Sequence, residues 1–329
     1  MYFLLPPIDK DYSIHDILST IQCLTKKWNI DNISRTNAYF RYFQTHPEIE
    51  WSFLASMVSR NAGYNMCDLE GSPLKDTLSP QYRNYLFLTY EKANYLIFKD
   101  VFPQLLLYHY STLLNEKMFH CLRYFFVTAF MESEWEYFSE YSDRKRLMTA
   151  LIINEQNVIQ KPVIEDPFFQ KNVFQSKLFW LQDALRLNAV LFPTIKGELY
   201  GLPVHHFRKL DKRIVLGKGL AKILFDDQLF QHFYQFAYLT EHTGSRIDYE
   251  QYFSNRKRRE TPFLRAVYPV IQHPDYELEN WDDKRRVQKK WFSQSSLPNK
   301  VNNMTQLHKK KRQQLERFIY LYRFMKTTR

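Results

Sequence analysis

"HPEIEWSFLASMVSRNAGYNM", residues 46–66, decides the fold class. Pro47 suits a first helical position, where its missing N–H removes nothing, and Glu48 and Glu50 face the positive end of the helix dipole. Trp51, Leu54, Ala55 and Val58 recur at helical spacing and make one apolar face. Gly63 then reads as a C-terminal stop, so the pattern predicts a helix over 47–61. Around that stop stand Arg60, Asn61, Tyr64 and Asn65, a dense set of polar groups for a chain end.

Working outward, the same reading predicts helices over 13–28 behind Ser13 and 34–45 behind Ser34, then over 80–98 and 104–140. Others are expected over 143–155, 170–188, 216–224 and 227–241. Glycine supports this: only 7 occur in 329 residues, too few for the many tight turns of sandwiches and barrels. Between 189 and 215 the pattern dissolves into a long irregular segment with prolines and glycines. The fold class is therefore mostly α, with residues 1–254 as a large multi-helix body. Residues 255–329 form a basic helical extension docked at least partly on it, ending in a helix over 303–326.

Charge separates those two parts. The final 75 residues carry 19 Lys/Arg against 7 Asp/Glu, whereas the rest of the chain is nearly neutral. Hydrophobic residues at 45% and aromatics at 17% exclude wholesale disorder. The three cysteines are odd in number and widely spaced, so no disulfide framework or zinc knuckle is expected and a reducing cytosol is the simplest compartment. The start, "MYFLLPPIDK", lacks the features of a secretory signal. Glu116, Lys117 and Arg123 interrupt the apolar run 101–131 too often for a membrane span.

Four constellations carry polar chemistry. In "SRNAGYNMCDLEG", 59–71, Arg60, Asn61, Asn65 and Asp68 either cap a helix end or surround a small polar ligand. In "TEHTGSRIDYEQY", 240–252, Glu241, His242, Arg246 and Asp248 gather around Gly244, with the parts for acid–base work or for a polar helix terminus. An Arg60–Glu241 or Arg60–Asp248 pair would join the two clusters in one pocket. On the predicted long helix, His109, Glu116 and His120 fall within about 20° of one line, with Glu134 returning to it. A satisfied Glu116–His120 pair is expected there rather than a metal, because neither ExxH nor HExxH occurs.

The last constellation is the basic tail. Arg256, Lys257, Arg258 and Arg259, then Lys284, Arg285, Arg286, Lys289 and Lys290, then Lys309, Lys310, Lys311 and Arg312, form clusters with Trp281, Trp291 and Phe292 interleaved. Such clusters either face phosphates or form a solvated face. No GxGxxG, P-loop, GxSxG or kinase motif occurs, so no metal and no cofactor are predicted.

The stretch "ISRTNAYFRYFQTHPEIEWSFLASMVSRNAGYNMCDLEG", 33–71, together with "TEHTGSRIDYEQYF", resembles the YppC-like proteins, a bacterial family of unknown function. The resemblance implies a bacterial cytosolic protein and brings no activity, cofactor or catalytic residue with it. The residues themselves favour a cytosolic binding or scaffold protein whose basic tail meets nucleic acid or another polyanion. The alternative is an enzyme with a polar pocket formed by the 59–71 and 240–250 loops.

Overall fold

The computed structural model describes residues 13–72, 74–176, 179, 189–253, 261–274, 280–293, 302–314 and 317. They are mostly helical. The main helices are α1 (Ile14–Trp28), α2 (Asn32–Thr45), α3 (Glu50–Asp68), α4 (Pro80–Leu114), α5 (Ala129–Tyr141), α6 (Arg144–Val158), α7 (Leu210–Leu224) and α8 (Phe230–Leu239). Ser13, Asp31, Ser79, Thr128 and Asp143 each precede a helix and accept a hydrogen bond from a first-turn N–H. Among the described residues no helix is long and apolar enough to cross a membrane.

At the centre lies α3, buried on nearly every side, with its most extensive contact along α2. Ser52, Ser56, Ser59 and Gly63 run along it at spacings that keep one narrow stripe. Their small side chains allow a close approach, and the hydroxyls are satisfied locally. Ser56 Oγ donates to the Thr36 carbonyl at 3.1 Å, and Thr36 Oγ1 donates to Ser59 Oγ at 2.7 Å. Asn32 Nδ2 donates to both the carbonyl and the hydroxyl of Ser59, at 2.9 and 3.0 Å.

Four expectations need correction. Gly63 does not stop a helix: α3 continues to Asp68, and Gly63 sits inside it. The helix expected behind Ser34 begins at Asn32 and is capped by Asp31, whose carboxylate takes the Ser34 N–H at 2.7 Å. The predicted helices over 80–98 and 104–140 are differently divided. α4 runs unbroken to Leu114, Asn115 turns left-handed at φ 55°, and a 3-10 helix over Phe119–Phe125 precedes α5. Glu116 and His120 are thus exposed and share no buried stripe.

The irregular segment holds a β-hairpin, β1 (Ala189–Pro193) with β2 (Leu199–Pro203), in antiparallel register. Gly201 makes the pairing possible, because a Cβ there would lie 1.9 Å from the Val190 carbonyl oxygen. Asn61 pins the hairpin to α3, its Oδ1 accepting the Leu191 N–H at 3.1 Å. The C-terminal part reaches the other strand. Leu199 N–H donates to Thr305 Oγ1 at 2.9 Å, and Met304 N–H donates to the Leu199 carbonyl at 2.7 Å. Residues 305–314 then form a helix.

A second polar connection crosses the core near α6. Trp281 Nε1 donates to Asn154 Oδ1 at 2.8 Å, Asn154 Nδ2 donates to Asp100 Oδ2 at 2.5 Å, and Gln104 Nε2 donates to the same oxygen at 2.8 Å. Burial pushes the Asp100 carboxyl up to about 7, against the pull of these two donors.

Two outcomes follow from this packing. An Ala in place of an exposed helical Gly gains about 1 kcal/mol. Gly63→Ala should instead destabilise by about 1–3 kcal/mol in denaturant unfolding, because overpacking exceeds the helix-propensity gain. Asp100 has a folded pKa above its unfolded value, so its charge opposes folding. Its contribution is most favourable below about pH 4 and declines until about pH 7. Asp100→Asn should remove that decline, raising stability relative to the parent at pH 8 more than at pH 5.

Candidate functional site

α3 positions Arg60, Asn61, Tyr64, Asn65 and Asp68 over its last turns, and the segment after α8 turns at Gly244 to face them. The two clusters meet, although not through the expected pair. Arg246 is the link: Nε donates to Asp68 Oδ2 at 2.8 Å, Nη2 to Asn65 Oδ1 at 2.9 Å and Nη1 to Tyr249 OH at 2.9 Å. Burial works against the guanidinium charge, but Asp68 and Tyr249 outweigh it and hold the pKa above its ordinary value. Arg60 is buried at the edge of the junction without an ion pair to Glu241 or Asp248, with Nη2 donating to the Ala237 carbonyl at 3.1 Å and the guanidinium 5.7 Å from the Phe236 ring centre. Glu241 is exposed and stands outside the cluster.

His242 carries the second link. Its Nε2 lies 2.9 Å from Asn32 Oδ1, whose amide nitrogen is spent on Ser59, so Nε2 bears the proton and donates. Burial lowers the imidazole pKa despite the Asp248 carboxylate, which stands 3.4 Å from Nδ1. Asp248 is engaged mainly by Thr243, through its N–H at 3.0 Å and its hydroxyl at 2.5 Å. Gly63 leaves room for this ring: a Cβ there would lie 2.8 Å from His242 Nε2 and 2.4 Å from Asn32 Oδ1. A His with its donor committed and no exposed face has no route to a substrate. The convergence works as an internal bolt.

Beside the bolt lies a half-open cavity of about 460 Å³ between the start of α2, α4 and residues 264–271. Asp31, Glu91 and Arg265 supply its charges, and Phe87, Leu264 and Tyr268 are among its apolar walls. Arg265 clamps Asp31 with two hydrogen bonds, at 2.7 and 3.1 Å. Glu91 is held by Arg35 Nη2 at 2.5 Å and His273 Nε2 at 3.3 Å. Burial alone would raise the Glu91 pKa, and Arg35 with His273 brings it below the usual carboxylate value. None of these groups was selected from the sequence. The sequence reading set the helix start at Ser34 and passed over Asp31, and Glu91 and Arg35 meet across 56 positions. Among the described residues no group of three or more His, Cys, Asp or Glu is arranged for a metal ion.

The basic tail divides. Arg256, Lys257, Arg258 and Arg259 lie outside the described residues. Arg285 pairs with Glu165 at 3.6 Å, and Arg312 with Glu250 at 2.9 Å. Lys309 stands 4.4 Å from the Phe253 ring centre. Lys284, Arg286, Lys289 and Lys310 are exposed, and Lys311 is half-buried. Trp291 and Lys290 dock on the first turn of α7: Trp291 Nε1 donates to Asp211 Oδ1 at 2.8 Å, and Lys290 pairs with Asp211 Oδ2 at 2.5 Å. From beneath, buried Lys218 donates to the Trp291 and Ser293 carbonyls at 2.8 and 2.6 Å. Exposed Arg208, Lys209 and Lys212 flank Asp211 in sequence, so the body contributes cations that the sequence reading did not include.

Removing Asp68 leaves Arg246 without its carboxylate in a buried position. Asp68→Ala should therefore cost about 3 kcal/mol in denaturant unfolding. Glu241→Gln should stay within about 0.5 kcal/mol of the parent. A double-mutant cycle on Asp68 and Arg246 should give coupling, whereas one on Arg60 and Glu241 should be additive.

No solved structure matches the chain. It is 43% identical over 320 residues to the uncharacterized protein YppC of Bacillus subtilis (strain 168), covering 97% of this chain and 99% of that one. A family model described as "Protein of unknown function (DUF2515)" matches residues 27–314. With the match spanning most of the helical body and the tail segments docked on it, the chain belongs to this family of proteins of unknown function.

Proposed function

We propose that the protein is a cytosolic binding protein that holds a polyanion, nucleic acid foremost, on the basic surface where residues 284–290 meet the start of α7. The observation that carries this reading is the docking of Trp291 and Lys290 on Asp211. It brings the tail turn that carries exposed Lys289 onto the helix turn that carries exposed Lys209 and Lys212, with exposed Arg286 and Arg208 a few residues away along each segment. Cations from two distant parts of the chain reinforce one field, and a rigid base makes that field better suited to phosphates than a solvated tail would be. The first turn of α7 adds N–H groups without a side-chain cap at Lys209. The three free cysteines accord with a reducing compartment.

The enzyme reading has less behind it. Its two clusters do converge, but Arg246, Asp68, His242 and Asp248 satisfy one another in the interior.

The test is the salt dependence of binding to a fluorescent DNA oligonucleotide, in single- and double-stranded form. Affinity should fall linearly in a double-logarithmic plot. Lys209→Gln, Lys212→Gln and Lys289→Gln combined should weaken binding at low salt and reduce the slope by about 2–3. An unchanged slope in the triple variant, or no binding by the parent at low salt, overturns the proposal.

A further inference from the structure

His46 ends α2 and His109 lies on α4, and the two rings meet with Nε2 of His46 2.8 Å from Nδ1 of His109. The other nitrogen of His46, Nδ1, stands 3.0 Å from Glu48 Oε1, which also accepts the Tyr108 hydroxyl at 3.1 Å. An ionised carboxylate only accepts, so Glu48 fixes the proton of His46 on Nδ1 and leaves Nε2 with a bare lone pair. His109 Nδ1–H then donates to it. His46 is 7% exposed and His109 half-buried, so the pair is anchored on one side and reachable from the other.

This is the arrangement of a carboxylate-oriented histidine with its ligating nitrogen turned to a second imidazole. We propose that His46 Nε2 and His109 Nδ1 bind a transition-metal cation of the zinc class, with Glu48 as the outer partner that orients His46. Zinc–imidazole bonds of about 2.0–2.1 Å in tetrahedral geometry hold two donor nitrogens about 3.3 Å apart, so the rings must part by about half an ångström and each tilt by about 35° to turn its lone pair from the other ring towards the ion. On binding, the His109 proton moves from Nδ1 to Nε2, which frees the Nδ1 lone pair without net proton release. With two protein ligands, water completes the coordination and the ion exchanges readily. Imidazole donors select zinc, copper or nickel over magnesium and calcium.

The experiment is calorimetric titration of the full chain with Zn²⁺ at pH 7.5, with Mg²⁺ as a control. One equivalent of Zn²⁺ should bind and Mg²⁺ should not. His46→Gln and His109→Gln should each weaken binding at least 10-fold, and Glu48→Gln about 10-fold as an outer partner. His120→Gln, at an exposed position, should leave it unchanged. In the unsubstituted protein, ¹⁵N NMR of the imidazoles should show Zn²⁺ shifting His46 and His109 together, a readout that holds even if a variant misfolds. Zinc binding that survives both His substitutions, shifts confined to other histidines, or no binding at all overturns the proposal.

Discussion

The absence of one carbon atom at Gly63 governs much of the arrangement. Without a Cβ there, His242 and Asn32 close over α3 in direct hydrogen-bond contact, 2.9 Å apart. That contact brings residues 240–250 against the last turns of α3, where Arg246 reaches Asp68 and Asn65. Residues 261–268 follow: Thr261 accepts the Arg246 N–H, Leu264 N–H donates to the Thr243 carbonyl, and Arg265 clamps Asp31 at the head of α2. A larger residue at 63 would press on both ends of this chain of contacts at once.

The helical character of the chain was legible because it rests on local signals. Trp51 and Leu54 mark an apolar face, and Ser13 followed by Asp16 makes a capping box. What was missed depends on partners remote in sequence. Gly63 has the local look of a stop, yet its meaning comes from a ring 179 positions away. Asn115 tolerates the left-handed region, but apolar residues resuming beyond Lys117 at helical spacing carried the predicted helix across it. The β1–β2 hairpin was obscured by its prolines, and its register depends on a backbone approach at Gly201.

The site reading shows the same division. The two polar clusters are in contact, and Asn65, Asp68, Arg246, His242 and Asp248 belong to the junction. The pairing within it was misassigned. Arg60 and Glu241 are long and oppositely charged, but one is buried against Phe236 and the other is exposed. Composition gives charge, whereas helix phase decides which charge faces inward. Glu91 of the cavity wall and its partner Arg35 left no local trace, because a buried ion pair between two helices looks like any surface charge until the helices pack.

Through these contacts the 240–250 segment is held as part of the core rather than as a mobile active-site loop. Native-state hydrogen exchange tests this most directly. The amides of Thr243, Ser245, Arg246 and Leu264 are all hydrogen-bonded, to Asp248, Thr243, Thr261 and Thr243 respectively. Their opening free energies should approach that of global unfolding, alongside the core amides of α3. Exchange of these four amides through low-energy local opening, with α3 still protected, would contradict the account.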